Sequence, residues 1–223
     1  MSRCILLADA TRGCRSEEDA HFFIRAAAEA GVNGLLLPFA VAGPHYTQLK
    51  EEANALGILL LVLPEKAEHA QRLAELGMPL WQLGRATLDD TPLLKAAGAS
   101  GAPVLLCAED APTDLLRQAL VALHGAGSGL VTLLHGAPAF PAPPEEANLR
   151  AMIVLKGRFQ EGVGYYDGTG YDVVPVMAAA MRADVVEFPL DRQSAQGMRD
   201  PDQLAAAVYT LRLAEQALGS GER

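Results

Sequence analysis

The chain has 223 residues, half of them hydrophobic, and its 27 acidic against 18 basic side chains give a formal charge of −9. That composition supplies the core of one globular domain, or at most two, and differs from that of a disordered chain. An acidic balance without a lysine or arginine block argues against nucleic-acid and anionic-membrane surfaces, which need a concentrated positive field, and leaves a small neutral or locally steered ligand.

In chain order, the first strand is expected over residues 4–8. Ser16, with Asp19 three residues later, then starts a helix that Gly31 ends. Strands follow at 34–38, 58–63 and 80–83, with Gly57 and Gly77 closing the helices between them. After a strand at 104–107, Thr113 opens a helix that stops at Gly125. A strand at 130–135 leads through Pro143 and Pro144 into the next helix, beginning near Glu145. Strands at 162–166 and 185–188 flank a helix starting at Asp172, and Asp200 followed by Pro201 starts the last helix.

Eight strand–helix units in 223 residues repeat every 28 or so residues, close to the minimum for a βα unit. Runs such as ILLLVL are apolar at nearly every position, as in a parallel sheet buried on both faces. The expected architecture is α/β, a single compact (β/α)8 barrel, with a doubly wound open sheet as the alternative. The longest apolar runs, such as 56–64, fall short of the roughly 18 residues that span a bilayer. Residues 1–15 do not read as a secretory signal. Cys4, Cys14 and Cys107 are odd in number and lack CxxC spacing, which suits reduced thiols of a cytoplasmic protein and neither a disulfide framework nor a zinc cage.

In a barrel the chemistry sits at the carboxyl ends of the strands. The polar residues there include Asp9, Glu65, Lys66, Arg85, Glu109, Asp110, His135, Tyr166, Asp167, Glu187, Asp191 and Arg192. Glu187 and His135 are the catalytic candidates, a carboxylate and an imidazole suited to proton transfer. Asp9, Arg85, Tyr166, Asp167, Asp191 and Arg192 are the candidates for ligand binding. Each has a plainer alternative, since strand ends meet water and are polar anyway. Glu187 would then cap a helix or pair with Arg192, Asp167 would close an Asx turn, and His135 would be a satisfied rim histidine. Cys107 reads as a buried strand-end thiol before a reactive one.

From Leu133 the chain runs LLHGAPAFPAP, then NLRAM, GYYDGT and VEFPLD. This order resembles the barrel domain of the sialic acid synthase family, whose members read LLHCTSxYPAP, NLRAM, GYSDHT and IEKHFT. Fainter matches precede it: GVNGLLLPF for GADAVKFQ, and LWQLGRATLDDTPLLKAAGASGAPVLL for KIGSGDLTNLPLLEYIAKTGKPVIL. The resemblance implies a barrel that condenses phosphoenolpyruvate with an N-acylated hexosamine around a divalent metal held by two histidines.

The departures fall on that chemistry. The two histidine positions are Gly168 and, in a shortened stretch, Phe188 or Pro189, so no metal and no cofactor is expected. The lysines of KFQ and KIGSGD are Leu36 and Gln82, the serine of the family's STGMATLEEI, which CAEDAPTDLL faintly matches, is Cys107, and the serine of GYSDHT is Tyr166. Family synthases also carry an antifreeze-like C-terminal domain, whereas here only the eight units are expected. The sequence reading is therefore a homologue with degenerate metal and phosphoenolpyruvate sites that binds a sugar-like ligand or a partner in a surface-glycan pathway. One alternative is an active condensing synthase with relocated groups, Arg85 and Arg192 among them. A second is an aldolase using Lys156 as a Schiff-base lysine. The alanine-rich outer helices, at 177–181 and 204–208, either pack on the barrel or face a second copy or a protein partner.

Overall fold

The computed structural model describes residues 4–219. Eight parallel strands form one sheet: β1 (Ile5–Asp9), β2 (Gly34–Pro38), β3 (Leu59–Leu63), β4 (Trp81–Leu83), β5 (Val104–Cys107), β6 (Val131–His135), β7 (Gly162–Tyr166) and β8 (Val185–Pro189). Their hydrogen-bonded order is β3-β2-β1-β8-β7-β6-β5-β4. β3 and β4, at the two ends of that order, stand side by side, so the sheet is a nearly closed (β/α)8 barrel.

The outer ring is formed by α1 (Glu17–Ala30), α2 (Phe39–Ala42), α3 (Tyr46–Ala55), α4 (Ala67–Glu75), α5 (Thr91–Gly98), α6 (Thr113–Ala126), α7 (Ala151–Phe159), α8 (Val173–Ala180) and α9 (Pro201–Leu218). The caps expected at Ser16, Gly31 and Asp200 are present, whereas Thr113 begins α6 after Pro112 and Asp172 precedes α8, both without a side-chain cap bond. Ser16 Oγ accepts from the Asp19 N–H at 3.1 Å, and Gly31 ends α1 at φ 79°, a left-handed conformation that glycine adopts without strain. Asp200 and Gln203 close a reciprocal capping box with Pro201 in the first turn of α9.

Three boundaries differ from the sequence reading. α6 runs through Gly125 and ends at Gly127, where φ is 99°. Pro144 opens only a short 3-10 turn, because Asn148 turns left-handed at φ 37° and delays α7 to Ala151. The link from β2 to β3 holds two helices, α2 and α3, where one was expected.

Alternation along each strand divides the core. Leu7, Leu36, Leu61, Leu80, Leu105, Leu134 and Val185 fill the barrel's interior, while Leu6, Leu35, Val62, Leu106, Leu133 and Val186 face the helices. Each buried leucine contributes about 1.5–3 kcal/mol by leaving water. A Cβ on Gly164 would lie 2.8 Å from the Val185 carbonyl oxygen, so β7 approaches β8 more closely than any side chain allows. Among the described residues, no helix is long and apolar enough to cross a membrane.

Candidate functional site

The same alternation decides which strand-end residues reach the mouth of the barrel. Asp9 follows Leu7 by two, Glu187 follows Val185, Cys107 follows Leu105, and Gln82 follows Leu80, so all four continue interior rows. Tyr166 joins the interior leucines as well. His135 and Phe188 fall on the opposite parity and point toward the helices.

Glu187 is fully buried and accepts from Gln82 Nε2 through both carboxyl oxygens at 2.9 Å. Gln82 Oε1 is buried with no hydrogen-bond partner. Asp9 Oδ1 accepts from the Thr11 N–H at 2.8 Å. Glu109 lies beside Gly136, where an added Cβ would come 3.1 Å from its Cγ. Two arginines reach this region. Arg12, in the β1–α1 loop, stacks its guanidinium 4.3 Å from the centre of the Phe140 ring, which itself leans toward Tyr166. Arg85 donates from Nε to the Glu109 carbonyl oxygen at 3.0 Å.

The electrostatics follow from this crowding. Burial pushes the Glu187 carboxyl well above the usual carboxylate range, and Asp9 and Glu109 push it further, against the Gln82 amide. Asp9 is raised by burial, opposed by its bonds to Thr11 and by the Arg12 charge. Glu109 is raised by burial and by Asp9, opposed by Arg12 and Arg85. Like charges in a shared low-dielectric space do not all ionise together, so this site holds protons that isolated carboxyls would release. Tyr166 is likewise raised, by burial and then by Asp9 and Glu187. Cys107 is pushed far up by burial, then by Glu109 and Glu187, and is a thiol where a reactive cysteine would be a thiolate.

The other sequence candidates are elsewhere. His135 Nε2 bonds the Ala147 carbonyl at 2.9 Å, and burial lowers its pKa, so it is a neutral histidine packed outside the barrel interior. Asp167 is buried against Arg199 Nη2 at 2.7 Å and closes the expected turn through Thr169, whose Oγ1 donates to it at 2.6 Å. Arg192 pairs with Asp19 at 2.8 Å and covers the Phe22 ring, facing the start of α1; it makes no bond to Glu187. Asp191 accepts from the Arg192 N–H at 2.6 Å. Lys156 corrects the aldolase alternative. It is exposed on α7 and borders the opposite, amino-terminal end of the barrel beside Ile5, Val104 and Val131, away from the mouth.

The metal implied by the resemblance does not fit these residues. A Cβ on Gly168 would already lie 3.3 Å from Phe140 Cδ2, and Phe188 points outward into the helix-side core. Among the described residues no group of three or more histidine, cysteine, aspartate or glutamate side chains is arranged to hold a metal ion. Sequence reasoning gave Arg12 no role and treated Gln82 only as a lost lysine. The period-two pattern through Leu80 and Gln82 carried the signal that Gln82 faces inward, whereas nothing local marked Arg12, which sits in a loop.

Comparison with known proteins adds the relationship. The family model described as NeuB family matches residues 16–223. An uncharacterized protein of Methanocaldococcus jannaschii is 32% identical over 185 residues, covering 80% of this chain and 55% of that protein. The N,N'-diacetyllegionaminic acid synthase of Campylobacter jejuni is 29% identical over 184 residues, covering 79% of this chain and 55% of the synthase. The chain thus spans about half the length of these curated relatives. Among solved structures, the N-acetylneuraminic acid synthetase of Leptospira borgpetersenii superposes with a TM-score of 0.88 at 21% identity, over 99% of this chain and 87% of that one. At that identity the likeness speaks for the fold.

Proposed function

Because this chain belongs to the NeuB family, we propose that it serves carbohydrate biosynthesis as a barrel without metal-dependent condensation, whose mouth binds a neutral, sugar-like polyol. The observation that carries this reading is the Gln82–Glu187 pair. Where the resemblance implies a lysine for phosphoenolpyruvate, the chain holds a neutral amide bonded to a buried carboxyl, flanked by two more acids. A ligand bearing both phosphate and carboxylate would find a neutral amide in place of that lysine, and any of the three acids that ionised beside it would repel it. The groups on offer are the carboxyls of Asp9, Glu109 and Glu187, which accept and, while protonated, also donate, and the unpartnered Gln82 Oε1, which accepts. The hydroxyls of a sugar, each both a donor and an acceptor, match them.

A second reading, an active synthase with relocated groups, draws on Arg12 and Arg85, whose charges both act on Glu109. It also draws on relatives named as legionaminic acid synthases. Calorimetry with manganese, phosphoenolpyruvate and N-acetylmannosamine separates the two. Binding of the sugar alone is expected. Metal-dependent binding of phosphoenolpyruvate would favour the synthase and overturn the polyol reading, and binding of neither would overturn both.

A further inference from the structure

The amino-terminal end of the barrel is apolar where the mouth is acidic. A cavity of about 1030 Å³ opens there. Leu80, Leu105, Val131 and Val185 form its buried floor. Around them stand Ile5, Leu59, Leu130 and Leu218, large aliphatic side chains that are nevertheless between 38% and 82% exposed. A concavity of this size, floored and rimmed by apolar side chains left facing water, has the form of a ligand pocket.

The ionisable groups on the rim decide what enters. The acids there are engaged within the chain. Glu161 pairs with His124 Nε2 at 2.8 Å, Glu215 pairs with Arg212 at 2.8 Å and accepts from the Cys4 N–H at 2.7 Å, and Asp184 accepts from the Val163 N–H at 2.9 Å. Lys156 and Arg182, the two cations that line the cavity, are exposed and make no ion pair among the described residues. The backbone adds to this. α1 and α6 end on left-handed glycines, Gly31 and Gly127, but α7 and α8 are followed by Gln160 at φ 59° and Arg182 at φ 68°. A side chain at such a position carries strain that glycine would avoid, and both of these side chains border the cavity.

We infer that this end of the barrel is a second binding site, for a free amphiphilic carboxylate whose aliphatic chain lies on the apolar floor and whose carboxylate meets Lys156 and Arg182. A wholly apolar ligand would leave both cations unanswered, and a small anion without a chain would leave the floor in water. The site is separate from the mouth. On β1, buried Leu7 stands between Ile5 at this cavity and Asp9 at the other end.

Calorimetry of the full chain with dodecanoate, kept below its micellar concentration, tests this. Wild type should bind dodecanoate, with decanoate weaker on the order of 10-fold for its two lost methylenes and uncharged dodecanol weaker by about 10-fold. Leu130→Asp should weaken dodecanoate on the order of 10-fold with an unchanged far-ultraviolet spectrum, since Leu130 is 82% exposed. Arg182→Gly places at φ 68° the residue that suits it, and should lower dodecanoate affinity about 5-fold while leaving dodecanol unchanged. Val121→Asp on α6, outside the cavity, and Glu187→Gln at the mouth should not alter binding. Absence of dodecanoate binding, equal affinity for dodecanol, or binding that survives Leu130→Asp would overturn the inference. So would a dimer that Leu130→Asp dissociates and dodecanoate does not, which would give the cavity to a second copy. Binding that appears only once residues 220–223 are removed would give it to the chain's own end, and would overturn the inference equally.

Discussion

Asp167 and Glu187 stand at the ends of neighbouring strands and are both fully buried, yet Asp167 meets a guanidinium at 2.7 Å while Glu187 meets only a neutral amide at 2.9 Å. Around Asp167 the compensation continues: Arg199 also reaches Asp172 at 3.2 Å, and Thr169 donates to Asp167 twice. Around Glu187 the neighbouring charges, Asp9 and Glu109, are of its own sign. A buried charge whose partner is fixed in the chain ties the β7 and β8 loops together. A buried carboxyl left with acids for neighbours resists ionisation, and that is the usual physical mark of a site awaiting a ligand or a proton.

Asp167→Asn should have the largest effect. It removes the countercharge of a buried arginine whose Nη1 is already unpartnered, and the asparagine amide would turn a donor toward another donor. The expected loss is about 3–5 kcal/mol, or a fall in melting temperature on the order of 10 °C for a chain of this length. A variant that melts with the wild type would erase the contrast between the two clusters.

Glu187→Gln should act in the opposite direction. Glu187 has a folded pKa above its unfolded value, so its contribution to stability is complete below the unfolded pKa, about 4.3, and declines as pH rises through the folded value. The neutral variant escapes that decline and should be more stable than the wild type at pH 8, by about 1–4 kcal/mol, with the gap closing toward pH 4. Urea midpoints measured at both pH values would show it. A variant weaker at pH 8 would mean that Glu187 is ionised and compensated after all.

The barrel was legible in the sequence because its signals are local and periodic: apolar strand runs, caps at Ser16 and Asp200, and a glycine at the end of α1. The site was legible only in part, and the reason is parity. Listing residues at strand ends gathers both faces of the sheet, so His135 entered beside Glu187 although successive side chains point oppositely, and the two cannot share a proton. Past the strand ends the chain is irregular and nothing periodic guides the reading. Arg192 therefore looked like a mouth residue but turns to Asp19 and Phe22, while Arg12, unremarked, lies over Phe140. The resemblance identified what was missing at Gly168 and Phe188, but the pairing of Gln82 with Glu187 joins residues 105 apart in sequence and appears only in the fold.

Arg12→Ala should give the smallest change and the finest test of where the uncompensated cluster ends. Its stacking on Phe140 is partly exposed and contributes about 0.5–1 kcal/mol, so melting should shift by only a few degrees. Its charge is the more informative part. Arg12 lowers the pKa of both Asp9 and Glu109, so removing it raises both further, and a carboxyl raised in the folded state loses stability as pH climbs. The stability of Arg12→Ala should therefore fall more steeply than that of the wild type between pH 5 and pH 8. Equal slopes would put Arg12 outside the field of the three acids and leave the contact with Phe140 as its whole contribution. A steeper slope would show that the cluster draws part of its compensation from a loop residue that also packs on Phe140, so one guanidinium serves both the ring contact and the acids.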